Sequence, residues 1–178
     1  SHTTVNRERP CPLLVSHAAT DIPAIPHLKK ALEDANVDTK IDALKKTILL
    51  ILSGEPATQL IMPIIRFVLP HKDRTIKKLL LLYWEVVDKK AADGKLLHEM
   101  ILVCNTLMRD LNHPNEYIRG STLRLVGKLK EPELVEPLVE SVKNNLTQRH
   151  SYVRRNAVLA VYSIYKDMPQ LIPDAGDI

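Results

Sequence analysis

The sequence predicts an all-α chain, a solenoid of about four stacked helical hairpins, on three observations. Aromatic residues make up only 4% of the chain and there are only 5 glycines in 178 residues, too few for sheets built on aromatic strands and glycine turns. Apolar residues recur at helical spacing between proline, glycine and Asp/Asn punctuation. A short pattern also repeats near the start of every second predicted helix.

The first 26 residues hold Pro10, Pro12, Pro23 and Pro26 without a helical period, so residues 1–26 read as an irregular, partly disordered leader and 27–178 as the helical domain. A short helix is expected near Leu28 to Asp34. From Asp38 to Ser53 the residues Ile41, Leu44, Ile48, Ile51 and Leu52 predict an amphipathic helix, with Asp38 as N-cap and Gly54 past its end. Pro56 opens a helix that runs to Leu69, and Pro63 inside it removes a hydrogen bond and bends it. Asp73 caps a helix through Val87 whose run Leu79-Leu80-Leu81-Leu82-Tyr83-Trp84 is apolar on nearly every side and therefore belongs between neighbours.

A long helix is expected from after Gly94 to Leu111, a turn at His113-Pro114-Asn115, and a helix from Glu116 to Leu129. Pro132 opens the next, with a stripe of Leu134, Val135, Leu138, Val139, Val142 and Leu146. Ser151 caps the last, which ends at Lys166 before Pro169. The chain then has about eight helices.

The recurring pattern is an aliphatic residue followed by a polar or basic one: Ile41-Asp42, Ile76-Lys77, Ile118-Arg119 and Val153-Arg154. The steps from 41 to 76, 76 to 118 and 118 to 153 are 35, 42 and 35 residues. Steps of that size belong to helix-pair repeats of the HEAT and armadillo kind and not to a heptad or a four-helix bundle.

Composition excludes several classes. Cys11 and Cys104 form neither a disulfide framework nor a zinc spacing, which suits a reducing compartment such as the cytosol. No apolar run reaches the roughly 18 to 20 residues that span a bilayer. There is no glycine-rich phosphate loop and no nucleophile–base set with meaningful spacing. His98-Glu99 lacks the second histidine of a zinc-protease helix, since Leu102 stands there. The chain thus reads as a binding protein without catalysis, cofactor or metal. Its net charge of +4 and pI of about 9.0 are mildly basic.

Two candidate surfaces stand out. The helix ending at Leu111 carries two adjacent apolar stripes, Leu97, Ile101, Cys104, Met108 and Leu111 on one and Leu96, Met100, Val103 and Leu107 on the other. Together they are too wide for one core face, so the first either lies under neighbouring repeats or docks a partner. The basic residues Lys77, Lys78, Arg119, Arg154 and Arg155, with Lys72, Arg74, Arg124 and Arg149, recur at equivalent repeat positions. They either bond turn carbonyls or neighbouring acids, or form an edge for acidic lipid or an acidic partner. Interleaved exposed aromatics are not expected, which disfavours nucleic acid.

Longer motifs carry a resemblance. Arg66-Phe67-Val68-Leu69-Pro70, Thr75-Ile76-Lys77-Lys78-Leu79-Leu80-Leu81, the run from Leu97 to Cys104, His113-Pro114-Asn115-Glu116-Tyr117-Ile118-Arg119-Gly120-Ser121-Thr122-Leu123-Arg124, the run from Arg149 to Ala160 and Leu171-Ile172-Pro173-Asp174-Ala175 resemble the amino-terminal trunk of the adaptin and coatomer large-subunit family, in its coatomer beta branch. The resemblance spans about Leu28 to Ile178. It implies a non-catalytic scaffold of the vesicle coat on Golgi membranes, peripheral on their cytoplasmic face, in ER–Golgi and intra-Golgi transport. It also implies recruitment by a GTP-loaded Arf-type GTPase and assembly with other coat subunits, especially delta and the gamma/zeta pair. Related adaptor chains hold that GTPase through two apolar residues three positions apart on a trunk helix. The matching positions here are Ile101 and Cys104, flanked by Leu97 and Met108, and Cys104 departs from the aliphatic residue expected. The competing reading is a HEAT-repeat adaptor that takes an acidic partner or nucleic acid on its basic edge.

Overall fold

The structure, a computed structural model, describes residues 22–177; most of the predicted leader, Cys11 included, lies outside the described residues. Apart from one isolated β-bridge, the regular elements described are helical. The described residues divide into two compact units, one ending at Leu80 and the other beginning at Leu81.

In the first unit, α1 (Ile25–Glu33) and α2 (Val37–Leu52) form a hairpin. The first helix starts three residues earlier than the sequence suggests because Pro26 sits in its first turn, where a missing N–H costs nothing. The cap of α2 is Asn36, whose Oδ1 accepts from Thr39 N at 3.1 Å, so the expected cap Asp38 lies inside the first turn. Leu44 and Ile48 are buried with Ala43, Thr47 and Lys40, whereas Leu52 is exposed and Ile41 and Ile51 are only half-covered. The buried stripe is therefore rotated from the expected one toward Lys40 and Thr47, whose polar atoms find backbone partners.

The segment opened by residues 56–58 is no regular helix. It is a 3-10 turn (Thr58–Leu60), one α turn named α3 (Ile61–Pro63) and a π turn (Ile64–Val68) closed by Leu69 N donating to Ile64 O at 2.8 Å. Pro63 has no N–H to give and its ring crowds the preceding turn, so the ladder loosens after it. The buried Lys40 then joins the two parts of this unit. Its Nζ donates to Leu32 O near the end of α1 (2.8 Å) and to Phe67 O in the π turn (3.1 Å), and lies 5.9 Å from the Phe67 ring centroid. Burial lowers its pKa, opposed by the charges of Asp34 and Glu33.

Helix α4 (Arg74–Val86) begins as predicted, with Asp73 Oδ1 accepting from Thr75 N and Ile76 N at 2.8 and 3.0 Å. Ile76, Leu79, Leu80, Tyr83 and Trp84 are buried. Tyr83 and Trp84 meet edge to face with centroids 4.8 Å apart. The Tyr83 hydroxyl is buried without a hydrogen-bond partner among the described residues, and burial pushes its pKa far up. Tyr83→Phe removes that stranded group, so urea denaturation will show unchanged or higher stability, by up to about 1 kcal/mol.

In the second unit, α5 (Met100–Leu111) pairs with α6 (Glu116–Val126), and α7 (Pro132–Val135) with α8 (Val139–Asn144) pair with α9 (Ser151–Asp167). Pro137 falls in a 3-10 turn (Glu136–Leu138) that separates α7 from α8, where the sequence suggests one helix. Leu134, Val135, Leu138, Val139 and Val142 are buried as expected, and Leu146 is half-covered. Asn115 caps α6, its Oδ1 accepting from Tyr117 N and Ile118 N at 2.9 and 3.2 Å, and α6 gives way at Gly127 before Leu129. The N-cap of α9 is His150, without a side-chain cap bond, and the expected cap Ser151 is the first helical residue.

Asn145 ties the hairpins together from below: its buried Nδ2 donates to Leu111 O at the end of α5 (3.1 Å) and to Ser141 O (2.7 Å). The closest approach is α6 against α9. A Cβ on Gly120 would lie 2.2 Å from Tyr152 Cε1, and one on Gly127 would lie 3.1 Å from Ala160 Cα, so both glycines permit a spacing that any side chain would widen.

The repeated pattern keeps phase in three of its four instances. Ile76, Ile118 and Val153 each follow their caps Asp73, Asn115 and His150 by three residues, whereas Ile41 lies five after Asn36.

Candidate functional site

The approach to α5 differs from the long helix expected from its sequence. Residues 89–97 form a small hairpin: Ala91 N donates to Lys95 O at 2.8 Å, Leu97 N to Lys89 O at 2.8 Å, and Lys90 bridges to Leu96. Gly94 has φ +80° and its N donates to Ala91 O at 2.9 Å, a three-residue loop whose last position takes the left-handed conformation. Asp93-Gly94 is the signal that reveals it, an Asp-Gly pair that favours a turn over a helix start.

This hairpin turns Lys89 inward. Its Nζ donates to Trp84 O (2.8 Å) and Val87 O (3.0 Å), carbonyls at the end of α4, and faces Glu131 Oε1 at 3.5 Å. A buried cation satisfies helix-end carbonyls that would otherwise be orphaned.

Helix α5 separates its two apolar stripes. Met100, Val103, Leu107 and Leu111 are buried in the core, so Leu111 joins the inner stripe. Leu97 is half-covered and sits on the incoming hairpin, not on the helix, so it does not extend the outer stripe. Cys104 and Met108 are half-covered and turn toward the next repeat. The Cys104 thiol reaches Leu134 O at 3.9 Å, and Met108 Sδ accepts from Ser141 Oγ at 3.0 Å. Ile101 is 52% exposed and its neighbour Leu102, absent from the expected site, is 48% exposed. The remaining exposed face of α5 carries Asn105 and Arg109. The result is an apolar knuckle in the first turn of the helix with a polar continuation, the arrangement of an anchor with a polar rim.

Burial pushes the Cys104 thiol pKa up, which keeps it protonated and a poor nucleophile at neutral pH. Alkylation by iodoacetamide at pH 7.5, followed by mass spectrometry, will run about tenfold or more slower at Cys104 than at a free peptide cysteine.

The basic edge resolves into different roles. Arg119 Nε donates to His113 O at 3.0 Å, and Arg154 donates from one terminal nitrogen to Gln148 O and Arg149 O at 2.6 and 2.7 Å. Both arginines thus fasten the turn that precedes their own helix, not the adjacent repeat. Arg155 and Lys78 are exposed, and Lys77 is half-covered. Exposed aromatics, not expected from the sequence, are present: Tyr117, Tyr162 and Tyr165 all reach solvent, which removes the argument against nucleic acid drawn from a lack of them.

Among the described residues no cluster of three His, Cys, Asp or Glu side chains could hold a metal ion, and no helix is long and apolar enough to cross a membrane.

Helical hairpins in register, capped by turn-bonding arginines and presenting an apolar knuckle on one helix, define a helical-repeat trunk of the adaptor kind. The sequence matches the adaptin N-terminal region over residues 24–178, and the chain belongs to that family. Within it, the chain is similar to the amino-terminal portion of coatomer beta subunits. It is 54% identical over 171 residues to the coatomer subunit beta of Dictyostelium discoideum, covering 96% of this chain and 19% of that protein. It is 60% identical over 151 residues to that of Sus scrofa, covering 85% and 16%, and 51% identical over 169 residues to that of Saccharomyces cerevisiae, covering 95% and 17%. The chain spans less than a fifth of the length of these relatives.

Proposed function

We propose that this chain is the amino-terminal trunk of a coat scaffold, a non-catalytic part of coatomer that works by binding. The identity to coatomer beta subunits over most of the chain carries this reading. It acts at the cytoplasmic face of Golgi membranes, as a peripheral component assembled with other coat subunits, delta and the gamma/zeta pair among them. Its recruitment is by a GTP-loaded Arf-type GTPase, for Golgi-to-ER and intra-Golgi transport.

The exposed first turn of α5 supports a GTPase contact in this region. Small-GTPase switch regions that order around the γ-phosphate offer a surface that exists in one nucleotide state only, and a rigid apolar knuckle suits such a surface. Ile101 and Leu102 are the anchors, with Cys104 at the margin because part of its surface already faces the next repeat. Lys78 and Arg155 keep exposed charge for an acidic surface, whereas Arg119 and Arg154 are occupied by turn carbonyls.

The test is titration calorimetry of the chain against an Arf-type GTPase loaded with a non-hydrolysable GTP analogue or with GDP. Binding to the GTP form alone is expected. Absence of binding to either form by a folded, monomeric chain removes the GTPase site from these residues.

A further inference from the structure

The 35-residue step that carries Ile118-Arg119 to Val153-Arg154 also carries Tyr117 to Tyr152. Core packing accounts for the buried Val153, and turn bonding accounts for the two arginines. Neither accounts for Tyr117. Tyr152 packs on α6 at Gly120, and Tyr117 meets it with ring centroids 5.7 Å apart, while the His150 ring approaches Tyr117 to 6.4 Å. Even with two ring neighbours Tyr117 is 57% exposed, an aromatic surface left open where α6 and α9 both begin.

The surroundings of this ring are cationic. Arg149, Arg154 and Arg155 are exposed around the start of α9, and Arg155, three residues beyond Tyr152, lies on the same side of the helix. Arg154 uses one terminal nitrogen on turn carbonyls but keeps its charge and its other donors. Over residues 113–119 and 148–155 the one carboxylate is Glu116, which faces His150 at 3.8 Å. Arg119, Arg149, Arg154 and Arg155 thus stand against a single acid.

This surface is separate from the knuckle of Ile101 and Leu102. The knuckle opens α5, whereas Tyr117 follows the turn that closes it, about 15 Å further along the hairpin.

We infer that Tyr117, Tyr152 and the arginines around them form a second docking surface, one that takes an acidic polypeptide segment carrying an apolar side chain. The apolar side chain rests on the tyrosines and the carboxylates face Arg149, Arg154 and Arg155. Charge complementarity selects the acidic occupant, since bidentate guanidinium–carboxylate pairing needs an acid this edge does not itself supply. The tyrosines favour a polypeptide over nucleic acid. They lean on each other at 46° and make one apolar floor, not a series of platforms for successive bases.

The test is fluorescence anisotropy of the chain with a short fluorescein-labelled peptide of aspartates and glutamates around one central phenylalanine. Binding is expected, and it should weaken at least about fivefold with Tyr117→Ala, with Arg149→Gln plus Arg155→Gln, and with alanine in place of the peptide's phenylalanine. Tyr117→Phe should bind as the unaltered chain does. Melting temperatures should hold for the arginine variant, whose side chains are both exposed, so it carries the test if Tyr117→Ala melts early. No binding of the peptide, or binding indifferent to these substitutions, overturns the proposal. So do a polyuridine oligonucleotide or phosphatidylserine vesicles that bind more tightly than the peptide and depend on the same residues, which would give the surface to nucleic acid or lipid. Failure of the GTPase to bind leaves the result standing, because the two surfaces lie at opposite ends of α5.

Discussion

Lys89→Met is expected to cost about 3 kcal/mol of stability in urea denaturation, the largest loss from any single charged residue in the second unit. Lys89 is nearly inaccessible, and its ammonium serves Trp84 O, Val87 O and Glu131 at once. Methionine fills the same volume but leaves two helix-end carbonyls without this donor and a largely covered carboxylate without its cation, held only by the Lys130 N–H at 3.2 Å. Breaking a buried pair from one side costs about 3–5 kcal/mol because the other charge stays behind. Adding Glu131→Gln to Lys89→Met should recover about 1 kcal/mol or more, since the stranded charge is gone while the carbonyls remain orphaned. If the single variant loses less than about 1 kcal/mol, water already serves those carbonyls and the lysine is not their cap.

The second large effect is on binding. Ile101→Asp with Leu102→Asp is expected to weaken the GTP-dependent interaction by about 100-fold or more, the loss of roughly 3 kcal/mol that central apolar anchors carry. The melting temperature should scarcely move, because both side chains already meet solvent. Met100→Asp on the core side of the same turn provides the contrast: it places a charge where no surface is accessible and should unfold the second unit. Calorimetric binding alongside thermal melts separates the cases. A double variant that melts early returns Ile101 and Leu102 to the core, and one that binds normally moves the contact elsewhere.

Much of the helical plan was legible because helix period and punctuation agree along most of the chain. Asp73 caps where the pattern places it, α6 starts at Glu116 after the expected turn, and most of the leucine-rich run before Trp84 is buried. What escaped is chemistry that competes with the period. Asn36 displaced Asp38 as a cap because the helix starts two residues earlier than a cap at Asp38 would allow. Pro63 and Pro137 split segments whose apolar stripes read as continuous, since burial period is insensitive to a change from α to 3-10 or π winding. The hairpin before α5 was hidden by Leu96 and Leu97, which continue the helical stripe in sequence while Asp93-Gly94 turns the backbone away from it.

The candidate site was only partly legible for a related reason. Periodicity shows that α5 has two apolar sides, but not which of them the next repeat reaches. That depends on where α7 and α8 pass, and they meet Cys104 and Met108 while missing Ile101 and Leu102. The recurring arginines were legible as position and not as charge, and Arg119 and Arg154 do bond turn carbonyls.

The hairpin at residues 89–97 lies within the one step of the repeat that is 42 residues long where the others are 35. A surplus of about two helical turns in length has thus been folded into a bracket that carries the inward-facing cation. Trimming the chain there to the common period would look harmless on a sequence alignment of repeats, yet it would remove a structural member from beneath Trp84. Length irregularity at this joint is a constraint on how the chain can be shortened, spliced or grafted, and designed versions of the trunk should treat the linker as part of the load path.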